Sequence, residues 1–160
     1  MLLLGIRHRR QQEADCLVAC AKMVLDYLGV PVEYTDLARR LGATDQGTPF
    51  SNIERLTSLG LFVQTGRYGA PTLFEDAIEW GLPVIVAVKT LHWQHWGEIV
   101  TDHAVVVIGV DQGHDEIYIH DPFFADAPIV MSLIEFEGGW IERDQRYAVI
   151  RLTSPEDQEL

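Results

Sequence analysis

Apolar residues recur every three or four positions through the first half of the chain, which is the spacing of one buried helix face. The pattern is strongest over Cys16–Leu28, where Asp15 can cap the first turn and Gly29 can end the helix. Similar patterns, each closed by a glycine, predict three further helices: YTDLARRLG (34–42, capped by Thr35 or Asp36), 51–59 before Gly60, and PTLFEDAIEWG (71–81). The first half is therefore predicted to be helical.

The second half carries short runs rich in β-branched residues, separated by turn residues. Four strands are predicted, over residues 84–90, 103–111, 116–121 and 146–152. The DQGHD sequence at 111–115 predicts a hairpin between the second strand and the third. Helices followed by strands predict an α+β fold, in which N-terminal helices pack on a mostly antiparallel C-terminal sheet.

The chain contains no internal repeat and no linker that would divide it. We therefore predict a single domain over residues 1–160, with a structured core at about 11–152 and an acidic tail at 153–160.

The net charge of the chain argues against two classes of binding partner. The 160 residues carry a formal net charge of −12, so nucleic acid and anionic membranes would repel the protein. No apolar run is long enough to cross a bilayer, and the opening MLLLGIRHRR has its apolar and basic residues in the reverse order of a secretory signal. We expect a soluble, cytoplasmic protein with no nucleic-acid partner and no membrane insertion, and nothing in the sequence indicates a cofactor.

Both cysteines lie on the first predicted helix, one turn apart. A disulfide between Cys16 and Cys20 would close no useful loop, so both are expected to be thiols. Cys16 stands on the first turn, where unpaired backbone N–H groups and the helix dipole stabilise a thiolate. Cys20 is one turn deeper and is expected to be a core residue. Taken alone, Cys16 also fits a small buried hydrophobic residue.

Candidate partners for a reactive thiol lie at the ends of two predicted strands. A thiolate nucleophile needs an imidazole to carry its proton, and the imidazole needs a polar group that fixes its tautomer. His103 begins one strand and Asp121 ends the next, so in an antiparallel pair the two meet at one edge of the sheet. Taken singly, His103 fits a solvated histidine at a strand end, and Asp121 fits an Asp-Pro turn.

Other polar residues near these positions are weaker candidates. The backbone N–H of Cys16 and a side-chain amide of Gln11 or Gln12 could bind the oxyanion of a tetrahedral intermediate. His92 and His95, together with His103, suggest zinc, but the spacing lacks the thiolate or carboxylate of known zinc sites. Two tryptophans in the same stretch, Trp93 and Trp96, are expected to line a cleft or cap the sheet edge.

In this order the residues resemble the papain-like bacteriocin-processing peptidases. In their best-known form these are N-terminal domains of peptide-exporting ABC transporters, and they remove double-glycine leader peptides. The family opens its first helix with an Asp-Cys-Gly-x-Ala-Cys motif, which residues 15–20 match except at Leu17. Its histidine followed by hydrophobic residues is matched at 103–107, and its Asp-Pro at 121–122. The likeness extends over about 11–152, including a closing element at 131–140.

The resemblance implies a stand-alone cysteine peptidase with a papain-like fold. Cys16 would be the nucleophile, His103 the general acid and base, and Asp121 the orienting residue; they follow one another at intervals of 87 and 18 residues. The expected partner is a peptide or protein substrate, such as a leader or small peptide. Whether a separate exporter is also a partner is left open. So are two other functions, a peptide-binding module of the same fold with little turnover and an acyl-transfer or isopeptidase enzyme.

Two positions depart from the family pattern. The oxyanion glutamine of the family usually stands six residues before the cysteine, where this chain has Arg10. Gln11 is therefore the predicted oxyanion donor, and Gln12 is the alternative. Leu17 replaces the common glycine after the nucleophile and is expected to add bulk near the cleft, which argues against specificity for a Gly-Gly leader.

Overall fold

A computed structural model describes residues 1–154 of the chain. Its helices are α1 (Cys16–Leu28), α2 (Tyr34–Leu41), α3 (Thr72–Glu79) and α4 (Leu133–Ile141). Its strands are β1 (Leu2–Leu3), β2 (Leu61–Gly66), β3 (Val84–Lys89), β4 (Asp102–Asp111), β5 (Glu116–His120), β6 (Ile129–Ser132) and β7 (Tyr147–Leu152). Segments of 3₁₀ helix cover Phe50–Leu59, Gln94–Trp96 and Gln112–His114.

The seven strands form one antiparallel sheet in the order β2-β7-β3-β4-β5-β6, with β1 beside β4. β4 is the longest strand and lies at its centre. Residues 102–107 of β4 pair with β3, and β1 pairs with residues 109 and 110. β5 pairs with the other edge of β4. β1 therefore lies on the same edge as β3, beyond the end of β3.

Side chains that alternate along the strands build two cores, one on each face of the sheet. On one face, Ile85 and Ala87 of β3 pack with α1, α2 and the 3₁₀ segment Phe50–Leu59. On the other face, the intervening valines of β3 pack with Phe74 of α3, with Phe136 and Trp140 of α4, and with two further tryptophans. The sheet is therefore covered on both faces, and its strands read as nearly continuous apolar runs.

The segment before α1 is tied to the centre of the sheet. The backbone N–H of Leu4 donates to Ile108 (2.8 Å), and His120 Nε2 donates to the carbonyl of Ile6 (2.7 Å). Further along, His8 Nε2 donates to the carbonyl of Asp121 (2.9 Å). Residues 4–8 thus contact the central strand and the end of β5.

The fold class predicted from the sequence is confirmed, as are the bounds of α1. Three details of the prediction were wrong. The N-cap position of α2 is Glu33, not Thr35 or Asp36, and no side chain caps it; the third helix is 3₁₀ and not α. The strict order of helices before strands also fails, because β2 interrupts the helical half and α4 lies late in the chain.

Among residues 1–154, none of the helices is long and apolar enough to pass through a bilayer. Residues 155–160, which make up most of the expected acidic tail, lie outside the described part of the chain.

Candidate active site

Cys16 is the first residue of α1 and borders an open cleft. Asp15 occupies the N-cap position, but its side chain makes no capping hydrogen bond. The backbone N–H of Cys16 belongs to the first turn, whose donors have no acceptor within the helix. Cys16 is partly exposed, whereas Cys20 is fully buried one turn later, and neither forms a disulfide. Only Cys16 can therefore meet a ligand without local unfolding.

His103 faces Cys16 from the second position of β4. Its side chain is only 4% exposed, and its Nε2 lies 2.7 Å from Asp121 Oδ1. Burial lowers the pKa of His103, but hydrogen bonds to Asp121 and to Cys16, together with the negative charge of both groups, outweigh burial and raise it to about 9. The imidazole is thus held between a sulfur and a carboxylate.

Asp121 directly follows β5, one residue after the pairing of Val106 with His120. Its side chain is fully buried, and each carboxylate oxygen accepts two hydrogen bonds. Oδ1 accepts from His103 Nε2 and from the Phe123 backbone (3.0 Å); Oδ2 accepts from His95 Nε2 (2.9 Å) and Trp96 Nε1 (2.9 Å). Burial raises the pKa of Asp121, but these donors overcome burial and hold it well below its usual range. The carboxyl group is therefore ionised at neutral pH.

The ionised Asp121 carboxylate determines which ring nitrogen of His103 and of His95 donates to it. An ionised carboxylate only accepts hydrogen bonds, so His103 and His95 must each carry a proton on Nε2. In His103 this leaves Nδ1 as the ring nitrogen that can exchange a proton with Cys16. The arrangement of sulfur, imidazole and carboxylate is the one needed to activate a nucleophile.

The cleft beside Cys16 and His103 has a volume of about 610 Å³. One wall comes from residues 42–52, including the turn closed by hydrogen bonds between Thr44 and Gly47. Asp102 and Arg143 also line the cleft, with 3.7 Å between Asp102 Oδ1 and an Arg143 guanidinium nitrogen. Leu17 contributes to the wall but is 2% exposed and belongs to the core, so most of its bulk lies outside the cleft.

Neither glutamine lines the cleft. The backbone N–H of Gln11 donates to the carbonyl of Pro122 (2.7 Å), which places Gln11 beside the residue that follows Asp121. Its side-chain amide donates to the carbonyl of Gln12 (3.3 Å), and its Oε1 is buried without a hydrogen-bond partner. Gln12 is exposed. Gln11 is therefore close to the site along the backbone, but its amide is turned towards its own neighbour.

The structure places Cys16 and His103 on one cleft and joins His103 to Asp121 by a hydrogen bond. It does not gather His92, His95 and His103 into a three-ligand metal group within residues 1–154. Sequence reasoning missed the contacts of His95 and Trp96 with Asp121, because a His-Trp pair in a loop carries no periodic signal. Trp93 does not line the cleft: it is fully buried and donates to the carbonyl of Glu135 (3.0 Å).

Several solved structures share this fold. A C39-like peptidase from Bacillus anthracis superposes with a TM-score of 0.75 and 18% identity, covering 96% of this chain and 98% of the other. A double-glycine motif protease from an AMS/PCAT transporter, solved with its leader peptide, gives 0.72 and 20% identity over 96% and 99% of the two chains. The peptidase domain of Streptococcus ComA, a bifunctional ABC transporter of a quorum-sensing pathway, gives 0.71 and 20% identity over 95% and 98%.

No curated protein matches the chain in sequence. The model of the Peptidase C39 family matches residues 7–143, a range that includes Cys16, His103 and Asp121. With most of its length matched and the fold shared, the chain belongs to the peptidase C39 family of cysteine peptidases.

Proposed function

We propose that the protein hydrolyses a peptide bond through a covalent acyl-enzyme, with Cys16 as nucleophile, His103 as general acid and base, and Asp121 as the residue that orients His103. The observation that supports this most is the buried Asp121–His103 hydrogen bond at 2.7 Å, with His103 and Cys16 lining the same cleft. A buried carboxylate and imidazole beside a helix-terminal thiol have the chemistry of an activated nucleophile.

In the proposed reaction, His103 gives one proton to the leaving amine and takes a second proton from water. Because the pKa of His103 is about 9, Nδ1 holds the proton at neutral pH while Cys16, as the thiolate, attacks the carbonyl carbon of the scissile peptide bond. The resulting tetrahedral intermediate collapses as His103 protonates the leaving amine, which leaves a thioester on Cys16. His103 then removes a proton from water, and the hydroxide attacks the thioester carbonyl. The C–S bond breaks, which releases the carboxylic acid and restores the Cys16 thiolate beside protonated His103. Throughout, Asp121 remains ionised and stabilises the imidazolium.

The oxyanion of the intermediate needs hydrogen-bond donors close to the sulfur. The backbone N–H of Cys16 is one, because the first turn of α1 leaves it free of a helical acceptor. We propose the side-chain amide of Gln11 as the second donor, because the backbone of Gln11 is hydrogen-bonded to Pro122, beside Asp121. Its side-chain hydrogen bond to Gln12 is 3.3 Å long, so rotating the amide towards the cleft gives up only one weak contact.

The proposed substrates are leader or other small peptides. Support comes from the open cleft, which can take an extended segment, and from a neighbour of the same fold solved with a leader peptide. Leu17 is buried in the core, so it does not by itself close the cleft to a Gly-Gly sequence. We further propose that the chain forms a single domain and that the protein works in a reducing compartment such as the cytoplasm, since its chemistry needs a free thiol.

Iodoacetamide alkylation followed by peptide mass spectrometry tests the proposal. Cys20 is buried and will react slowly in any case, so the informative comparison is Cys16 in the wild type and in His103→Ala. We expect His103→Ala to slow alkylation of Cys16 by about tenfold or more at pH 7, and Cys16→Ser to abolish cleavage of a panel of Gly-Gly leader peptides. Equal alkylation of Cys16 with and without His103 would contradict the proposal.

A further inference from the structure

A second histidine binds the carboxylate of Asp121 on the side away from His103. His95 Nε2 lies 2.9 Å from Asp121 Oδ2, and Trp96 Nε1 donates to the same oxygen. His95 does not line the cleft. Its closest link to the proposed chemistry is therefore the Asp121 carboxylate.

The two hydrogen bonds to Oδ2 fix the plane of the carboxylate. A carboxylate held only through Oδ1 can rotate about the bond between Cβ and Cγ, and rotation would move Oδ1 away from His103. Donors on Oδ2 oppose this rotation, and a donor to an ionised acceptor makes one of the stronger hydrogen bonds in proteins. The short contact of Oδ1 with His103 thus depends in part on the opposite oxygen.

His95 itself is held in place by packing and by α4. Its ring contacts Phe124 edge to face, with 5.0 Å between centroids, and lies 5.7 Å from Trp93. Trp93 donates to the carbonyl of Glu135, and the backbone N–H of Gln94 donates to Glu135 Oε1 (2.7 Å). The 3₁₀ segment Gln94–Trp96 is therefore anchored to α4 at its N-terminal end, and its two donors are preorganised towards Asp121.

We infer that His95 is a positioning residue of the reaction: it holds the Asp121 carboxylate in the orientation that keeps His103 aligned with Cys16. The inference rests on the proposed function. It predicts that His95 affects the reactivity of Cys16 and the turnover rate, but not the binding of peptide in a cleft that His95 does not touch.

Two substitutions separate the hydrogen bond from the packing. His95→Phe fills the aromatic surroundings and removes the donor; His95→Gln keeps an N–H donor at a similar reach. His114→Phe is the matched control, because His114 forms an equally short pair with Asp111 (2.9 Å) on the exposed 3₁₀ turn after β4. For each variant we would measure iodoacetamide alkylation of Cys16 at pH 7, kcat and KM on a cleaved leader peptide, and the urea midpoint.

We expect His95→Phe to lower both kcat and the alkylation rate by about tenfold, with KM within about twofold of the wild type. His95→Gln should recover most of the loss, and His114→Phe should match the wild type. A wild-type alkylation rate in His95→Phe overturns the inference. So does an equal loss in His95→Gln, because only ring packing would then matter, or a rise in KM alone.

The alkylation experiment needs no substrate, so it distinguishes this inference from the proposed function. If Cys16 in His103→Ala reacts as fast as in the wild type, the proposed function fails. If His103→Ala is slow and His95→Phe is normal, only the role of His95 fails. Should His95→Phe not fold, His95→Met replaces it, since methionine also fills the space without offering a donor.

Discussion

Two adjacent glycines in α4 make a sharp test of how packing positions the site. A Cβ at Gly139 would overlap the carbonyl oxygen of Lys89 and lie 2.6 Å from Trp93 Nε1, whereas a Cβ at Gly138 meets no atom within 4 Å. Both residues lie within the same helix. Gly139→Ala and Gly138→Ala are therefore the same chemical change at a filled and at an open position.

The expected energies have opposite signs. Alanine gains up to about 1 kcal/mol over glycine in a helix interior, and Gly138→Ala should show this gain. At Gly139 the gain is offset by overpacking, which costs about 2–3 kcal/mol, the upper part of the usual range, because the backbone at Lys89 cannot rotate away as a side chain would. We expect Gly139→Ala to lower the free energy of unfolding by about 1–2 kcal/mol and the two variants to differ by about 2–3 kcal/mol.

Urea unfolding at pH 7, followed by tryptophan fluorescence, measures the difference. With a slope of about 1–3 kcal/mol per molar for a domain of this size, the two midpoints should lie at least about 0.7 M apart. Gly139→Ala should also slow alkylation of Cys16, because a displaced α4 moves Glu135, which anchors the segment Gln94–Trp96. Midpoints that agree within about 0.2 M would refute the packing argument.

Three further predictions concern the site. In Asp121→Asn the amide NH₂ must face either the Phe123 backbone N–H or the Trp96 indole N–H, neither of which can accept, so urea unfolding should show a loss of about 3 kcal/mol; a wild-type midpoint would contradict it. The pKa of His103 is raised to about 9 in the folded protein, so its stabilising contribution is complete below about pH 6.5 and is lost as the pH rises through 9. The free energy of unfolding should fall between pH 7 and pH 10, and less steeply in His103→Gln; parallel curves would count against this linkage. Gln11→Ala should lower kcat by about tenfold or more while leaving alkylation of Cys16 unchanged, and an unchanged kcat would remove Gln11 from the oxyanion site.

The elements that the sequence predicted well are those with a strong local signal. α1 has a long apolar face and a glycine in the left-handed region at its end, φ 77° at Gly29, and both features can be read from the residues. The strands around β4 are runs of valine and isoleucine. Their antiparallel pairing brought His103 and Asp121 to one edge, and this argument from topology required no side-chain detail.

What the sequence did not predict depends on tertiary contacts. α4 contains Gly138 and Gly139, which lower helix propensity, and it forms because Phe136 and Trp140 are buried against the sheet. β1 has two residues and exists only because β4 offers an unpaired stretch of backbone. The donors on Asp121 Oδ2 come from a loop whose path is set by α4, more than thirty residues further along the chain, so no pattern within the loop could have revealed them.

The tethering of the N-terminal segment to the sheet has a consequence for proteolysis. Arg7, Arg9 and Arg10 are exposed, so trypsin has sites between the residues that dock on β4 and the helix that carries the thiol. A cut after Arg10 would leave all three proposed catalytic residues on one fragment, while the released peptide would keep Ile6 and His8, whose contacts hold the end of β5. After limited digestion, the peptide that contacts the end of β5 would no longer be covalently attached and could dissociate. The segment that carries Asp121 would then lose these contacts.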